Sequence, residues 1–267
     1  MKNLVILKLG GSILSLKENN RPIFRTRITS RIIQEIKKAY LEEDFNLIII
    51  HGTGSFGHPP GMKYKLSKGI QADPCKMGLS KSKRQGHLLN NLLWKLLEQS
   101  NLPAITIPPY PITISSNQKI YSMDLQVIKS TLKINRVPLL FGDEVIDLKK
   151  GYSVCSSDQL ATYLAIKLKP KLLLFATDVD GIYDKNPKTS PKARRIDTLS
   201  VRNIEKIRSS MKVHNLQDVS GEMSGKLGFL NTSKFSKKTT IRIFSGLTPG
   251  QIYKALKNLN VGTTIAA

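Results

Sequence analysis

Leu4-Val5-Ile6-Leu7-Lys8-Leu9-Gly10-Gly11-Ser12 is the stretch on which the reading of this chain turns. An apolar run of this length fits a buried strand. It carries one cation near its end and closes on two glycines, which let backbone N–H groups come close to an anion beside Lys8. A plain turn would explain the Gly-Gly pair equally well. Further runs of the same kind follow at Leu47–Ile50, Ala104–Ile107, Val137–Phe141, Leu172–Ala176 and Thr240–Phe244. Between them lie helical patterns. Ile28, Ile32, Ile36 and Tyr40 recur at four-residue steps, and Leu88, Leu89, Leu92, Leu93, Leu96 and Leu97 mark a second stripe. Ser156 with Gln159 reads as a capping box ahead of a third helix, and a fourth follows Thr248-Pro249. Strands alternating with helices predict an α/β fold, a mostly parallel sheet covered on both faces.

The chain has 267 residues, 40% of them hydrophobic and 23% charged, so it can form a sizeable core and is not a disordered composition. Lys and Arg total 42 against 19 Asp and Glu, a formal charge of +23, which favours anionic partners. Nucleic acid, an acidic membrane surface and phosphorylated small molecules all meet that description, and so does a lysine-rich proteome with no special partner. The only cysteines are Cys75 and Cys155, without a Cys-x-x-Cys, which points to a reducing cytoplasm and away from zinc ribbons. No apolar stretch is long enough to span a bilayer, and the N-terminus reads into a strand rather than a signal peptide. The expectation is a soluble cytoplasmic protein with no membrane partner.

The second strand runs into His51-Gly52-Thr53-Gly54-Ser55-Phe56-Gly57-His58. Its glycine spacing matches a dinucleotide fingerprint, but it follows the second strand, and Pro59-Pro60 argues against an immediate helix. A Walker A loop fails for want of a Gly-Lys-Ser/Thr ending. What is left is a glycine-rich loop able to wrap a phosphate, with His58 at its far end; a solvent-exposed imidazole is the competing reading. Asp158 falls in the first turn of a helix, where the dipole favours a carboxylate, and it either caps that helix or orients a lysine. Thr177-Asp178-Val179-Asp180-Gly181-Ile182-Tyr183, followed by Asn186-Pro187, is an acidic turn suited to ribose and adenine as well as to simple turn geometry. Asp218-Val219-Ser220-Gly221-Glu222-Met223-Ser224-Gly225-Lys226 reads as a glycine-punctuated loop ending in a cation, fit to cover nucleotide phosphates.

Taken in order, these five segments resemble the amino acid kinase family across essentially the whole chain. The Gly-Ser-Phe-Gly-His form of the second loop is similar to that of members whose acceptor is an isoprenoid monophosphate. The resemblance implies an open αβα sandwich, ATP and Mg2+ as cofactors, a homodimer, and no nucleic-acid partner. It divides the chain into residues 1–165, a lobe binding the phosphorylated acceptor, and 166–267, a nucleotide-binding lobe. By the same resemblance Lys8 and Lys17 bridge ATP and the transferred phosphoryl group, Gly10, Gly11 and Ser12 hold phosphates, and Asp158 aligns the lysines. Gly52, Gly54, Ser55, His58 and Ser157 would hold the acceptor, and Thr53, Asp178, Asp180, Gly181, Tyr183, Gly221 and Lys226 the nucleotide. Thr53, Ser157 and Glu222 stand where the family usually has glycine.

Phosphoryl transfer needs in-line positioning and cancellation of charge more than covalent chemistry, which lysines and amides supply. An acceptor phosphate has a second pKa of about 6, so it is a competent nucleophile at neutral pH without a base. His58 is therefore expected to bind and stabilise charge. The Leu88–Leu97 helix, with Trp94, is the expected wall for a hydrocarbon tail. The rivals are a sister kinase acting on another phosphate or phosphonate acceptor, such as fosfomycin or a nucleoside monophosphate, and a basic nucleic-acid-binding protein.

Overall fold

The structure is a computed structural model describing residues 2–19, 21–70, 77–185, 190, 192–213, 220–230 and 234–266. In chain order its elements are β1 (Asn3–Leu9), α1 (Gly11–Leu14), β2 (Ser15–Glu18), β3 (Arg21–Phe24), α2 (Thr26–Glu42), β4 (Phe45–His51), α3 (Gly54–Lys63), α4 (Gly78–Gln99) and β5 (Ala104–Thr106). There follow β6 (Thr113–Ser116), β7 (Lys119–Met123), α5 (Gln126–Lys133), β8 (Val137–Phe141), β9 (Asp143–Asp147), β10 (Gly151–Cys155) and α6 (Ser157–Leu168). The chain closes with β11 (Leu172–Thr177), β12 (Ile182–Tyr183), β13 (Arg195–Ile196), β14 (Thr198–Ser200), α7 (Ile204–Val213), α8 (Ser220–Leu230), β15 (Thr240–Ser245), α9 (Gln251–Leu256) and β16 (Thr263–Ala266). All six apolar runs are strands of one sheet, ordered β14-β16-β15-β11-β1-β4-β8-β5. Every pairing in it is parallel except β15 with β16.

The pleat sorts residues of each central strand into two layers. Val5, Leu7 and Leu9 pack with Leu47, Ile49, Leu172 and Leu174 under α2, α4 and α9. Ile6, Ile48, Ile50, Leu173 and Phe175 pack on the other face under α5, α6, α7 and α8. This is the expected αβα sandwich, with a sheet that continues through both halves of the chain. The Leu88–Leu97 stripe belongs to this packing. Leu89, Leu93 and Leu97 are buried, and the Trp94 indole donates to the Ala104 carbonyl at 2.9 Å, so the stripe serves the sheet and not a substrate tail.

β1 has β4 on one side and β11 on the other. The chain therefore leaves its central strands in opposite directions, and a crevice opens at their carboxyl ends, the usual place for a ligand in an open parallel sheet. Alternation also puts Lys8 on the α6/α8 face, at the last turnable position of β1.

Two segments read as loops are helices. α3 starts at Gly54, whose φ of +48° makes the sharp turn out of β4 that only glycine takes without strain. Pro59 and Pro60 lie inside it, lacking the N–H groups that Ser55 and Phe56 carbonyls would accept; buried Phe56 and packing against α4 hold the helix despite that loss. α8 likewise runs through the segment read as a glycine-punctuated loop, and Asp218 and Val219 lie outside the described residues. Lys17 is on β2, in a hairpin with β3. A second sheet, β10-β9-β6-β7, was not anticipated; the Asp147 carboxylate secures its turns by accepting from the amides of Asn117, Gln118, Lys149 and Lys150.

His51 ends β4 fully buried between the Gly52 carbonyl, 3.1 Å from Nδ1, and the Asn90 amide, 3.2 Å from Nε2, with its ring stacked on Phe141. Burial, the dominant cause, lowers its pKa to about 4 against the opposing pull of its two hydrogen bonds. Asn90 turns its Oδ1 toward the ring and donates its NH2 to Thr106 Oγ1 at 2.8 Å, so a neutral ring donates to either Gly52 or Asn90 according to its tautomer. Below pH 6.5 the unfolded chain takes up a proton here that the folded chain refuses until about pH 4. Stability is thus lost as pH falls through that window, at up to about 1.4 kcal/mol per pH unit. Denaturant midpoints of wild type and His51→Gln measured between pH 7 and 4 should converge as pH falls; a constant gap between them would contradict this.

Candidate functional site

The crevice is a cleft of about 700 Å³ whose lining draws on β1, α1, α3, α6, α8 and the ends of β4 and β11. Its floor exists because two glycine loops touch. A Cβ on Gly11 would fall 2.2 Å from the Gly54 nitrogen, and one on Gly52 would fall 2.8 Å from the Gly11 nitrogen, so both loops must be bare backbone there. Thr53, in a family glycine position, lies against Gly57, where a Cβ would come within 2.2 Å of its hydroxyl.

The amides of Gly10 and Gly52 extend the sheet ladder, bonding to the carbonyls of Ala176 and Leu9. Neither is available to a phosphate, which corrects the expectation for those two N–H groups. The amides of Gly11, Ser12, Thr53 and Gly54 donate to none of the described residues. These lie where the two loops turn into helices, whose first N–H groups have no intrahelical partner. In α6 the Ser156 hydroxyl accepts from the Gln159 amide at 3.2 Å, while the Gln159 side chain donates to the Gln118 carbonyl instead of closing the box. Ser157 and Asp158 follow in that first turn and line the cleft.

Asp158 joins two lysines. Its Oδ1 is 2.9 Å from Lys8 Nζ and 3.1 Å from Lys226 Nζ, and its Oδ2 is also 3.1 Å from Lys226 Nζ. Lys8 and Lys226 are each only 5% exposed, and Lys226 Nζ also stands over the ring of Phe175, the strand neighbour of Lys8. Burial by itself would raise the Asp158 carboxyl, but the two ammonium groups and their hydrogen bonds outweigh it and hold it below the usual carboxylate range. Two cations against one anion leave one positive charge in surplus, in a setting where water screens poorly. Lys226, expected to cover the nucleotide, is thus a direct partner of the residue expected to align the lysines.

Other expected residues are placed differently. Lys17 is exposed on β2 and is not part of the lining. Ser55 donates its hydroxyl to the Leu16 carbonyl at 2.8 Å, and its amide donates to Ser15 Oγ at 3.0 Å. It ties α3 to the hairpin that carries Lys17 rather than offering its hydroxyl to a phosphate. Thr177 lines the cleft and bonds Asp178 at 3.0 Å, while Asp178, Asp180, Gly181 and Tyr183 form the turn beyond it. There the Tyr183 hydroxyl donates to Asp180 at 2.6 Å, and Gly181 has no room for a Cβ beside Thr263. Asn186 and Pro187 lie outside the described residues, as do the side chain of His58 and those of Gly221 and Glu222. Position 58 nevertheless falls on a known face of α3: Gly54, Gly57 and Gly61 line the cleft, and 58 shares their helical stripe. Gly221 is in the first turn of α8. Lining residues not anticipated include Lys65, Lys68, Asp143, Glu144 and Val154. The pair Asp143-Glu144 follows Gly142 at a strand end and could have been noticed by the same rule that singled out Asp178.

The Amino acid kinase family model matches residues 3–245, and the chain belongs to that family. It is 37% identical over 270 residues to isopentenyl phosphate kinase of Methanocaldococcus jannaschii, and 32% identical to that of Methanothermobacter thermautotrophicus, with 98% of both partners covered in each case. An isopentenyl phosphate kinase of known structure, 30% identical, superimposes with a TM-score of 0.83 over 98% of this chain and all of its own.

The glycine contact yields a paired test. Gly11→Ala should lose about 1–3 kcal/mol through forced backbone displacement. Gly61→Ala, where a Cβ would meet nothing within 4 Å, should be neutral or stabilised by up to about 1 kcal/mol as a helical position. Equal urea midpoints for the two variants would show that the loops are not in contact.

Proposed function

We propose that the chain is an ATP-dependent isopentenyl phosphate kinase, transferring the γ-phosphoryl group of ATP to isopentenyl phosphate to give isopentenyl diphosphate and ADP. The observation that carries this is the buried Lys8, Asp158 and Lys226 cluster facing four uncommitted amides at the crossing of two glycine loops. Such a site suits two phosphates that must approach each other against their own repulsion. We assign the acceptor to the side built by residues 1–165, where α3 and α6 begin, and the nucleotide to the side built by 166–267, beyond β11.

In this reading Lys8 and Lys226 meet the charge that develops on the transferred group, and Asp158 holds both ammonium groups in place. The amides of Gly11, Ser12, Thr53 and Gly54 fix phosphate oxygens so that attack is in line. The acceptor dianion is itself the nucleophile, and no side chain needs to take a proton. We assign His58 to binding the acceptor phosphate because its backbone lies in α3 between Gly57 and Gly61, which line the cleft. Lys17, exposed on a hairpin that Ser55 anchors to α3, supplies a third cation. Among the described residues no group of three His, Cys, Asp or Glu could cage a metal ion. Bound together with ATP, Mg2+ would supply further charge neutralisation. We also propose a homodimer working in the cytoplasm; no helix among the described residues is long and apolar enough to cross a membrane.

A coupled ADP-release assay with isopentenyl phosphate, dimethylallyl phosphate, UMP and fosfomycin tests the reading directly; turnover confined to fosfomycin or UMP would replace it. His58→Ala should reduce turnover about 10²-fold or more, the usual cost of losing one transition-state donor, and unchanged kinetics would remove the imidazole from the mechanism. Lys17→Met should abolish transfer while ATP binding, followed by calorimetry, persists; an active variant would dismiss Lys17.

A further inference from the structure

On the acceptor side the described lining mixes apolar and charged side chains. Among the described lining residues, Met62 and Val154 are the apolar side chains of that wall, and Lys65, Lys68 and Glu144 stand with them. Glu144 and Val154 are directly paired across β9 and β10, so they share one face of the second sheet. The Glu144 Oε1 accepts from the Ser82 hydroxyl at 2.6 Å, and its Oε2 takes a bond from none of the described residues. Asp143, on the opposite face, is already matched by Lys83 at 2.7 Å and the Tyr110 amide at 3.2 Å. Glu144 makes no ion pair of its own among the described residues; Lys83 bonds its main-chain carbonyl at 3.1 Å and its charge also acts on the carboxyl. Glu144 is largely buried yet lines the cleft, so its carboxyl can take a further hydrogen bond from a ligand there.

Position matters as well. Gly142 lies beside Ser157, a Cβ there coming 3.2 Å from the Ser157 nitrogen, at the phosphate end of the cleft. Glu144 is two residues further along the strand, about 7 Å away. A backbone spacing of that order is comparable with the length of a five-carbon alkyl phosphate, which on the kinase reading sets Glu144 nearer the acceptor's chain than its phosphate.

Resting on the kinase reading above, we propose that Glu144, set by Ser82, is a specificity-determining residue that hydrogen-bonds a hydroxyl on the acceptor's carbon chain. The enzyme then takes hydroxylated short-chain alkyl monophosphates as acceptors alongside, or ahead of, the purely hydrocarbon one. Burial raises the Glu144 carboxyl above its ordinary range, with Asp143 adding to the effect and Ser82 opposing it. Such a group can pair with a hydroxyl as acceptor or as donor.

The test compares kcat/KM for isopentenyl phosphate and 3-hydroxy-3-methylbutyl phosphate in wild type, Glu144→Val and Glu144→Gln. Wild type should use the hydroxylated acceptor within about tenfold of the hydrocarbon, or better. Glu144→Val should lower the ratio of hydroxylated to hydrocarbon acceptor about tenfold or more, mainly through KM, and Glu144→Gln should keep most of it. An unchanged ratio in a Glu144→Val enzyme that melts normally overturns the proposal. So does a wild type that phosphorylates isopentenyl phosphate and ignores the hydroxylated compound, a result that decides even if the Val variant does not fold. If neither compound is phosphorylated, the kinase reading itself falls and this subsite with it.

Discussion

The site depends on one close approach, backbone against backbone, between Gly11 in the loop after β1 and Gly52 and Gly54 in the loop after β4. Neighbouring parallel strands place their loops side by side in any case, but a side chain at any of these positions would hold the two helices apart. With glycine at all three, α1 and α3 start against each other, and the N–H groups not used by the sheet lie around one small volume. The sheet places this volume where its strand order reverses. Geometry that would otherwise need several designed side chains is thus supplied by their absence.

Onto that floor the fold brings charges from three distant parts of the chain. Lys8 arrives on β1, Asp158 on the first turn of α6 and Lys226 on α8, all on the same face of the sheet. Each is costly to bury alone. Together they stabilise one another, and the carboxylate, lying between two ammonium groups, limits their mutual repulsion without cancelling both. The arrangement keeps the lysines extended toward the cleft before any substrate enters, so little reorganisation is required when a phosphate binds. The Ser156 cap contributes indirectly, since it fixes where α6 starts and so where Asp158 points.

Much of this was legible in the sequence. Buried parallel strands leave unbroken apolar runs, and all six were readable for that reason; Ser156 with Gln159 marked the start of α6 to the residue. What escaped notice has physical causes. β6, β7, β9 and β10 are only four or five residues long, and several of their buried positions hold polar residues, Ser115, Asp147 and Ser153 among them, so no apolar alternation marks them. Gly54 and Pro59 in α3, and Gly221 and Gly225 in α8, are poor helix formers, and tertiary packing overrides their propensity. The partnership of Asp158 with Lys226 spans 68 residues of sequence and has no local signature. Ser55 was read from its place in a glycine loop, yet its hydroxyl serves the neighbouring hairpin.

The formal charge of +23 and the charge of the site do different work. Spread over the surface, the excess of lysine and arginine raises the local concentration of any anion, and it fades within about 10 Å at 0.1 M salt. It cannot tell ATP from a strand of RNA. Discrimination has to come from the cleft itself, where the surplus charge of the Lys8, Asp158 and Lys226 cluster lies beside bare amides. The general field therefore accelerates encounter with phosphorylated molecules, and a few buried groups decide which of them stay.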